Sequence, residues 1–405
     1  MADLFPFQAL RPTPASAAQV AAVPYDVVNA EEAAALAAGN PLSFLHVSRS
    51  EIDLPADTNP YGDAVYAKAT ANFAALRSSA PLVVEDGPSL YVYRLQMGQH
   101  IQTGIAACFS GDEYDRDLIK KHERTRRDKE DDRTRHMLGL RAQTGPVFLT
   151  YKSTPAVDEF VGRVTAHAPL FDFAAADGVR HTLWRVPPAD NAALASAFSR
   201  IPALYIADGH HRAASAARVR QQLKDASEPA GERDSFLAVA FPHDQVQVLA
   251  YNRVVKDLAS YTPETLLAAL RDTVTVKDGP ATPARKGEVA MFLAGRWHTL
   301  VFGAAPSDSD PASRLDVSRL QDLVLTPLLG IGDVRSDKRI DFVGGARGTS
   351  ELEKLVTSGK HAVAFSLFPV SVDDLMAISD AGGIMPPKST WFEPKLRDGL
   401  LSHLI

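Results

Sequence analysis

Ala203-Leu204-Tyr205-Ile206-Ala207-Asp208-Gly209-His210-His211-Arg212-Ala213 is the stretch whose reading decides the fold. Five apolar residues without a break read as a buried strand, and Gly209 permits a tight turn from which Ala213 to Lys224 continues as a helix. A strand that runs through a turn into a helix N-terminus places the chain in the mixed α/β class. Chemistry collects at the same junction. The unspent N–H groups of a first helical turn and the positive end of its dipole favour an anion. His210, His211 and Arg212 add donors suited to phosphate oxygens, and Asp208 is suited to hold a divalent cation or orient a hydroxyl. The plain alternative is a capped helix with exposed histidines, but five consecutive polar residues after an apolar strand are hard to justify by packing.

Working outward, Val147 to Tyr151, Ser235 to Phe241 and Gln245 to Tyr251 read as further strands, and Ala226 to Asp234 as a surface loop. Upstream, Leu90 to Leu95 and Ile101 to Phe109 form a pair joined at Gly98-Gln99-His100. Helices are expected after Asn29, which looks like an N-cap, and over Tyr61 to Leu76. Beyond a proline-rich connector at Asp278 to Lys286, strands at Val289 to Phe292 and Trp297 to Phe302 precede a helix near Val317 to Leu328.

With 405 residues the chain exceeds one ordinary core, since cores stop growing at roughly 250 to 300 residues. Three parts are expected: residues 1–110 as an N-terminal α/β part, 111–277 as the catalytic core, and 278–405 as a C-terminal α/β part that folds back on the site, with Lys388 on an anionic group and Trp391 excluding water. A 45% apolar and 23% charged composition is that of a folded globular protein. The net charge of -6 gives no basic field for nucleic acid, so any anion site must be local. The start lacks the pattern of a signal peptide and no run approaches the ~20 apolar residues of a membrane span, so a cytoplasmic location is expected. The single cysteine, Cys108, reads as a buried structural thiol rather than a nucleophile. There is no HExxH, no zinc-type cysteine pattern and no GxSxG elbow.

Residues 117–140 are densely charged with high helical propensity. On a helix, Glu123, Arg126, Glu130 and Arg133 would share a face, either as a solvated surface or as part of a site. In Pro387-Lys388-Ser389-Thr390-Trp391-Phe392-Glu393-Pro394-Lys395, Lys388, Ser389 and Thr390 could reach a phosphate or carboxylate and Trp391 could stack on a base. A docked aromatic terminus is the alternative. Asp341 to Gly348 is glycine-rich without being GxGxxG or a Walker loop. His46, Arg49 and Glu51 are weaker candidates to line the site.

Phe7 to Pro12, Val23 to Val27, Asn40 to Val47, Lys121 to Arg133, Ile206 to Ala213, Tyr251 to Val255, Phe342 to Gly345 and Met385 to Lys395 together resemble the bacterial and archaeal family numbered 1015 among domains of unknown function. More distantly, His122-Glu123 followed by Asp208 to Arg212 resembles the layout of ADP-dependent free serine kinases of the ParB/sulfiredoxin superfamily. That resemblance implies a ParB/sulfiredoxin-like core carrying elaborations. It implies a small-molecule kinase using ADP or ATP with Mg²⁺, in which Glu123 activates a serine-like hydroxyl. Asp208 would hold the metal, His210 would join the catalytic group, and His122, Arg126, Arg133, Gly209, His211 and Arg212 would bind nucleotide or substrate. A nucleotide-binding regulator with a ParB-like fold and a metal-dependent phosphohydrolase are the rival readings. Neither nucleic acid nor membrane is an expected partner, and oligomeric state is left open, a homodimer included.

Overall fold

A computed structural model describes residues 2–79, 82–227, 234–305 and 310–405. The expected surface loop at Ala226 to Asp234 therefore falls mostly outside the described residues. The chain is a mixed α/β protein that divides into two compact units, residues 1–246 with 394–405 and residues 247–393. The expected boundaries do not coincide with this division. Strands on both sides of residue 110 are hydrogen-bonded into one sheet, and position 277 lies inside a strand of the second unit.

The first unit is built on β1 (Leu4–Phe5), β2 (Tyr91–Met97), β3 (His100–Ser110), β4 (Ile119–Lys120), β5 (Val147–Tyr151), β6 (Phe171–Ala174), β7 (Arg180–Arg185), β8 (Leu204–Asp208) and β9 (Ser235–Pro242). Their order is β4-β8-β5-β9-β3-β2-β7-β6, with β1 on β3. The β8–β4 and β9–β5 pairs are parallel and the rest antiparallel. β5 is buried at every position, which is why it shows no apolar–polar alternation, and its Thr150 hydroxyl donates to the Phe241 carbonyl. Cys108 is a buried thiol on β3.

Four helices matter below: α1 (Ala30–Ala37), α2 (Asp63–Ser79), α3 (Arg127–Leu140) and α4 (His210–Asp225). Asn29 caps α1 in a reciprocal box with Glu32, as its sequence predicts. α4 lays Ala213, Ala216, Val219 and Leu223 against the sheet at helical spacing, in one core with Leu149, Leu204, Ile206 and Ala238. A smaller sheet joins Leu82–Val84, Ala9–Pro12, Ser402–Leu404 and Ala142–Gln143. It ties the last residues of the chain to this unit.

The charged stretch departs from expectation. Only its second half is helical, because Ile119 and Lys120 pair with β8 and residues 121–126 form a loop before α3 begins at Arg127. Propensity lost to strand pairing and to side-chain anchors from α4. Glu123 and Arg126 therefore do not share a helical face with Glu130 and Arg133.

The second unit carries β10 (Tyr251–Val255), β11 (Thr275–Asp278), β12 (Glu288–Leu293), β13 (Arg296–Val301), β14 (Ile340–Gly344) and β15 (Val363–Leu367), in the order β11-β13-β12-β15-β10-β14, antiparallel throughout. The expected strand at Gln245 to Tyr251 is divided: Gln247–Leu249 pairs with Trp391–Glu393, and Tyr251 opens β10. The helix expected near Val317 is α-helical over Asp316–Leu320 and then widens to a π-turn at Gln321–Leu325. Among the described residues no helix is long and apolar enough to cross a membrane.

Candidate active site

The turn between β8 and α4 is sharper than its sequence requires. Gly209 sits at φ 95°, and α4 begins at once with His210, three residues earlier than the apolar pattern marks. The conformation favours glycine, and a Cβ there would stand 3.0 Å from the Arg212 guanidinium, which would have to shift. No side chain caps α4, so its first-turn N–H groups are not spent on a capping side chain, an arrangement that favours an anion.

Asp208 ends β8 and is held on both oxygens. Oδ1 accepts from the Gly209 N–H at 2.9 Å, while Oδ2 takes the Lys395 ammonium at 3.1 Å and lies 3.5 Å from Arg212. Burial would raise this carboxyl, but Lys395 and Arg212 hold it well below the ordinary carboxylate range. It is ionised at neutral pH.

The two histidines do something the sequence does not show. His210 Nε2 accepts the backbone N–H of His122 at 3.4 Å, and His211 Nε2 accepts that of Arg126 at 3.0 Å. Accepting at Nε2 places the proton on Nδ1 in each ring. Burial, with His122 alongside, keeps His210 neutral, and burial lowers His211 and brings His122 down to about 4. These rings are braces rather than cations. They pin the 121–126 loop across the start of α4, with the His122 and His210 rings edge to face at 4.3 Å.

Glu123 rides on that loop. Its Oε2 is 3.8 Å from His210 Nδ1, and its side chain is 58% exposed, so it is accessible from solvent. Glu130 is differently placed: on the first turn of α3 it accepts from Thr125 Oγ1 and pairs with Arg218 at 3.4 Å.

Arg212 is buried. It donates to the Pro146 carbonyl and faces Asp208; burial works against its charge, which Asp26, Asp208 and Asp398 more than restore. Arg133 lies over the Tyr25 ring at 4.0 Å and pairs with Asp132 at 2.8 Å, whereas Arg126 is exposed and pairs with Asp128 at 2.7 Å. His46 is tied to Asp53 and the Asn40 carbonyl; Arg49 pairs with Glu51 and reaches the Tyr25 carbonyl. Lys388, Ser389, Thr390 and Trp391 belong to the second unit. There the Lys388 ammonium sits 5.5 Å from the Tyr251 ring centroid, Ser389 is buried, and Trp391 packs edge-on against Tyr251 at 5.0 Å.

A family model described as a protein of unknown function (DUF1015) matches residues 4–318. The chain belongs to this family. A sequence search of curated proteins finds no match. Among solved structures, the DUF1015 chain is similar to a free serine kinase mutant in complex with AMP, at 13% identity and a TM-score of 0.37, covering 73% of this chain and 92% of that one. It is also similar to a conserved hypothetical protein from Pyrococcus furiosus (14% identity, TM-score 0.36, covering 74% and 95%). A third is C-terminally truncated SbnI from Staphylococcus aureus (12% identity, TM-score 0.39, covering 74% and 87%). These are distant likenesses, and the functional reading below rests on the turn itself.

Sequence reasoning missed three residues here. Lys395 closes a stretch already singled out, and Asp26 follows Tyr25 in another, so each had a local signal. Asp398 had none. It is buried, its Oδ1 has no hydrogen-bond partner among the described residues, and a Cβ on Gly145 would stand 2.8 Å from that oxygen. Burial drives its pKa from 3.8 to about 7, with Arg212 pulling down and Asp26 pushing up. A folded-state pKa above the unfolded one gives stability that is complete below the unfolded value and is lost as pH rises through the folded value. Asp398→Asn is therefore expected to flatten the stability profile and to gain on the order of 4 kcal/mol relative to wild type near pH 8. Urea unfolding near pH 5 and near pH 8 checks it, and a variant that loses stability as steeply as wild type would clear Asp398 of the effect.

Proposed function

We propose that this protein transfers a phosphoryl group from a nucleoside phosphate, ADP or ATP, to the hydroxyl of a free serine-like amino acid. The observation that carries the reading is Glu123, held 3.8 Å from His210 on a loop pinned across an uncapped helix N-terminus, beside an ionised Asp208. Phosphoryl transfer needs little covalent chemistry from a protein; it needs positioning, charge neutralisation and a base near the acceptor. Donor phosphates would lie on the first turn of α4, where backbone N–H groups and Lys395 meet the negative charge. Glu123 would take the acceptor proton as the new O–P bond forms and the bond to the leaving nucleotide breaks. His210, protonated on Nδ1, orients that carboxylate without competing for the proton.

Magnesium fits as a lean site. Among the described residues no group of three His, Cys, Asp or Glu side chains is placed to hold a metal, so Asp208 would be the single carboxylate to hold it. When bound, it would neutralise charge on the phosphates.

Phosphorus NMR of the purified protein with Mg²⁺, a panel of donors (ADP, ATP, pyrophosphate) and a panel of hydroxy amino acids tests the reading. A phosphomonoester resonance that appears only with donor and acceptor together is expected. Inorganic phosphate released regardless of acceptor would make the protein a phosphohydrolase, and binding without donor consumption would make it a regulator.

A further inference from the structure

The second unit contains a buried charge that makes no ion pair among the described residues. Arg253, on β10, is 2% exposed, and its guanidinium donates only to backbone carbonyls: those of Tyr251, Lys388 at 2.9 Å and Pro387 at 3.4 Å. The Phe342 ring, with its centroid 5.5 Å away, completes its surroundings. Among the described residues no carboxylate pairs with it. An uncompensated buried cation is costly, and proteins normally pair it. Burial brings Arg253 down to about 9, which leaves it charged at neutral pH.

Arg253 also borders a cavity of about 360 Å³, whose wall includes Ser318, Gln321, Asp322 and Pro387. Gln321 and Asp322 are the first residues of the π-turn, a feature found frequently at functional sites. The Gln321 amide spends its N–H groups on Thr326 Oγ1 at 2.8 Å and the Ile331 carbonyl at 2.7 Å. Among the described residues its Oε1 accepts no hydrogen bond, which leaves it as an acceptor. Asp322 is exposed and makes no ion pair among the described residues. The lining thus brings Arg253 together with the Asp322 carboxylate, the Gln321 amide and two further carboxylates, Asp310 and Asp333, of which Asp333 pairs with Arg335 at 3.2 Å.

The geometry points to a binding site for a small zwitterion of the α-amino-acid class, with its carboxylate on Arg253 and its ammonium at Asp322 and Gln321. The volume suits such a ligand, since small-molecule sites begin at about 300 Å³. A simple anion would satisfy Arg253 and leave the acidic residues of the lining unanswered; a simple cation would do the reverse. The site lies within the second unit and stands independently of the phosphoryl-transfer reading.

Titration calorimetry of the full chain tests it, using free α-amino acids of graded side-chain size, with acetate and ethylamine as single-charge controls. Saturable binding of at least one amino acid is expected, with neither control binding at the same concentration. Asp322→Asn, at an exposed position that leaves the fold intact, is expected to weaken binding at least about tenfold, because a charge-assisted contact is lost. Arg253→Met should abolish it. If that variant fails to fold, Asp322→Asn decides alone. Asp208→Asn is expected to bind with wild-type affinity, which separates this site from the β8–α4 turn whether or not that turn is catalytic. Equal binding of acetate, unchanged affinity in Asp322→Asn, or no binding by any amino acid would overturn the proposal.

Discussion

Asp208→Asn is expected to reduce phosphoryl transfer roughly 10³-fold, the scale on which removal of one preorganised electrostatic group acts. The substitution is nearly isosteric. Its amide oxygen can still accept the Gly209 N–H, so the turn should survive, but the charge that Lys395 and Arg212 both address is gone. Arg212 keeps the Pro146 carbonyl, Asp26 and Asp398, so the fold should hold. Single-turnover transfer and thermal unfolding, measured on the same preparation, separate the two effects. Transfer within a few-fold of wild type would take Asp208 out of the mechanism.

Glu123→Gln is expected to bind nucleotide as wild type does while losing at least about a hundredfold in transfer, the contribution of a well-placed general base. Glu130→Gln is the control, and the geometry makes it discriminating. Glu130 already accepts from Thr125 and pairs with Arg218, so its loss should appear as about 1 kcal/mol or less of stability rather than as rate. Nucleotide affinity by calorimetry and single-turnover rates for both variants settle the assignment. If Glu130→Gln loses rate and Glu123→Gln loses only affinity, the base is Glu130.

These two expectations depend on different levels of organisation. The turn at Asp208 was legible because every determinant is local: an apolar run long enough for a buried strand, one glycine able to adopt φ 95°, and a helix with apolar residues at Ala213, Ala216, Val219 and Leu223. The capping box at Asn29 and Glu32 is local in the same sense. Residues 117–140 were misread because their charge pattern is compatible with a helix and nothing nearby says otherwise. What stops the helix at Arg127 is β8, which pairs with Ile119 and Lys120 from some 85 residues away, as measured by Leu204 against Ile119.

The chemistry of the site divides along the same line. That His210 and His211 stand at a helix N-terminus follows from the sequence; that both are neutral Nε2 acceptors follows only from burial and from the backbone N–H groups of His122 and Arg126 brought onto them. Lys395 meets Asp208 across 187 positions, and Asp398 lies buried beside Gly145. No periodicity or spacing rule spans such separations, because a charge chooses its partner by distance in space and by the dielectric around it. By itself the sequence determined the α/β class, the strand-turn-helix at Asp208 and the residue types gathered there. Only the tertiary structure decided which carboxylate stays accessible, which histidines stay neutral and which lysine answers Asp208, since those depend on burial and on contacts between distant segments.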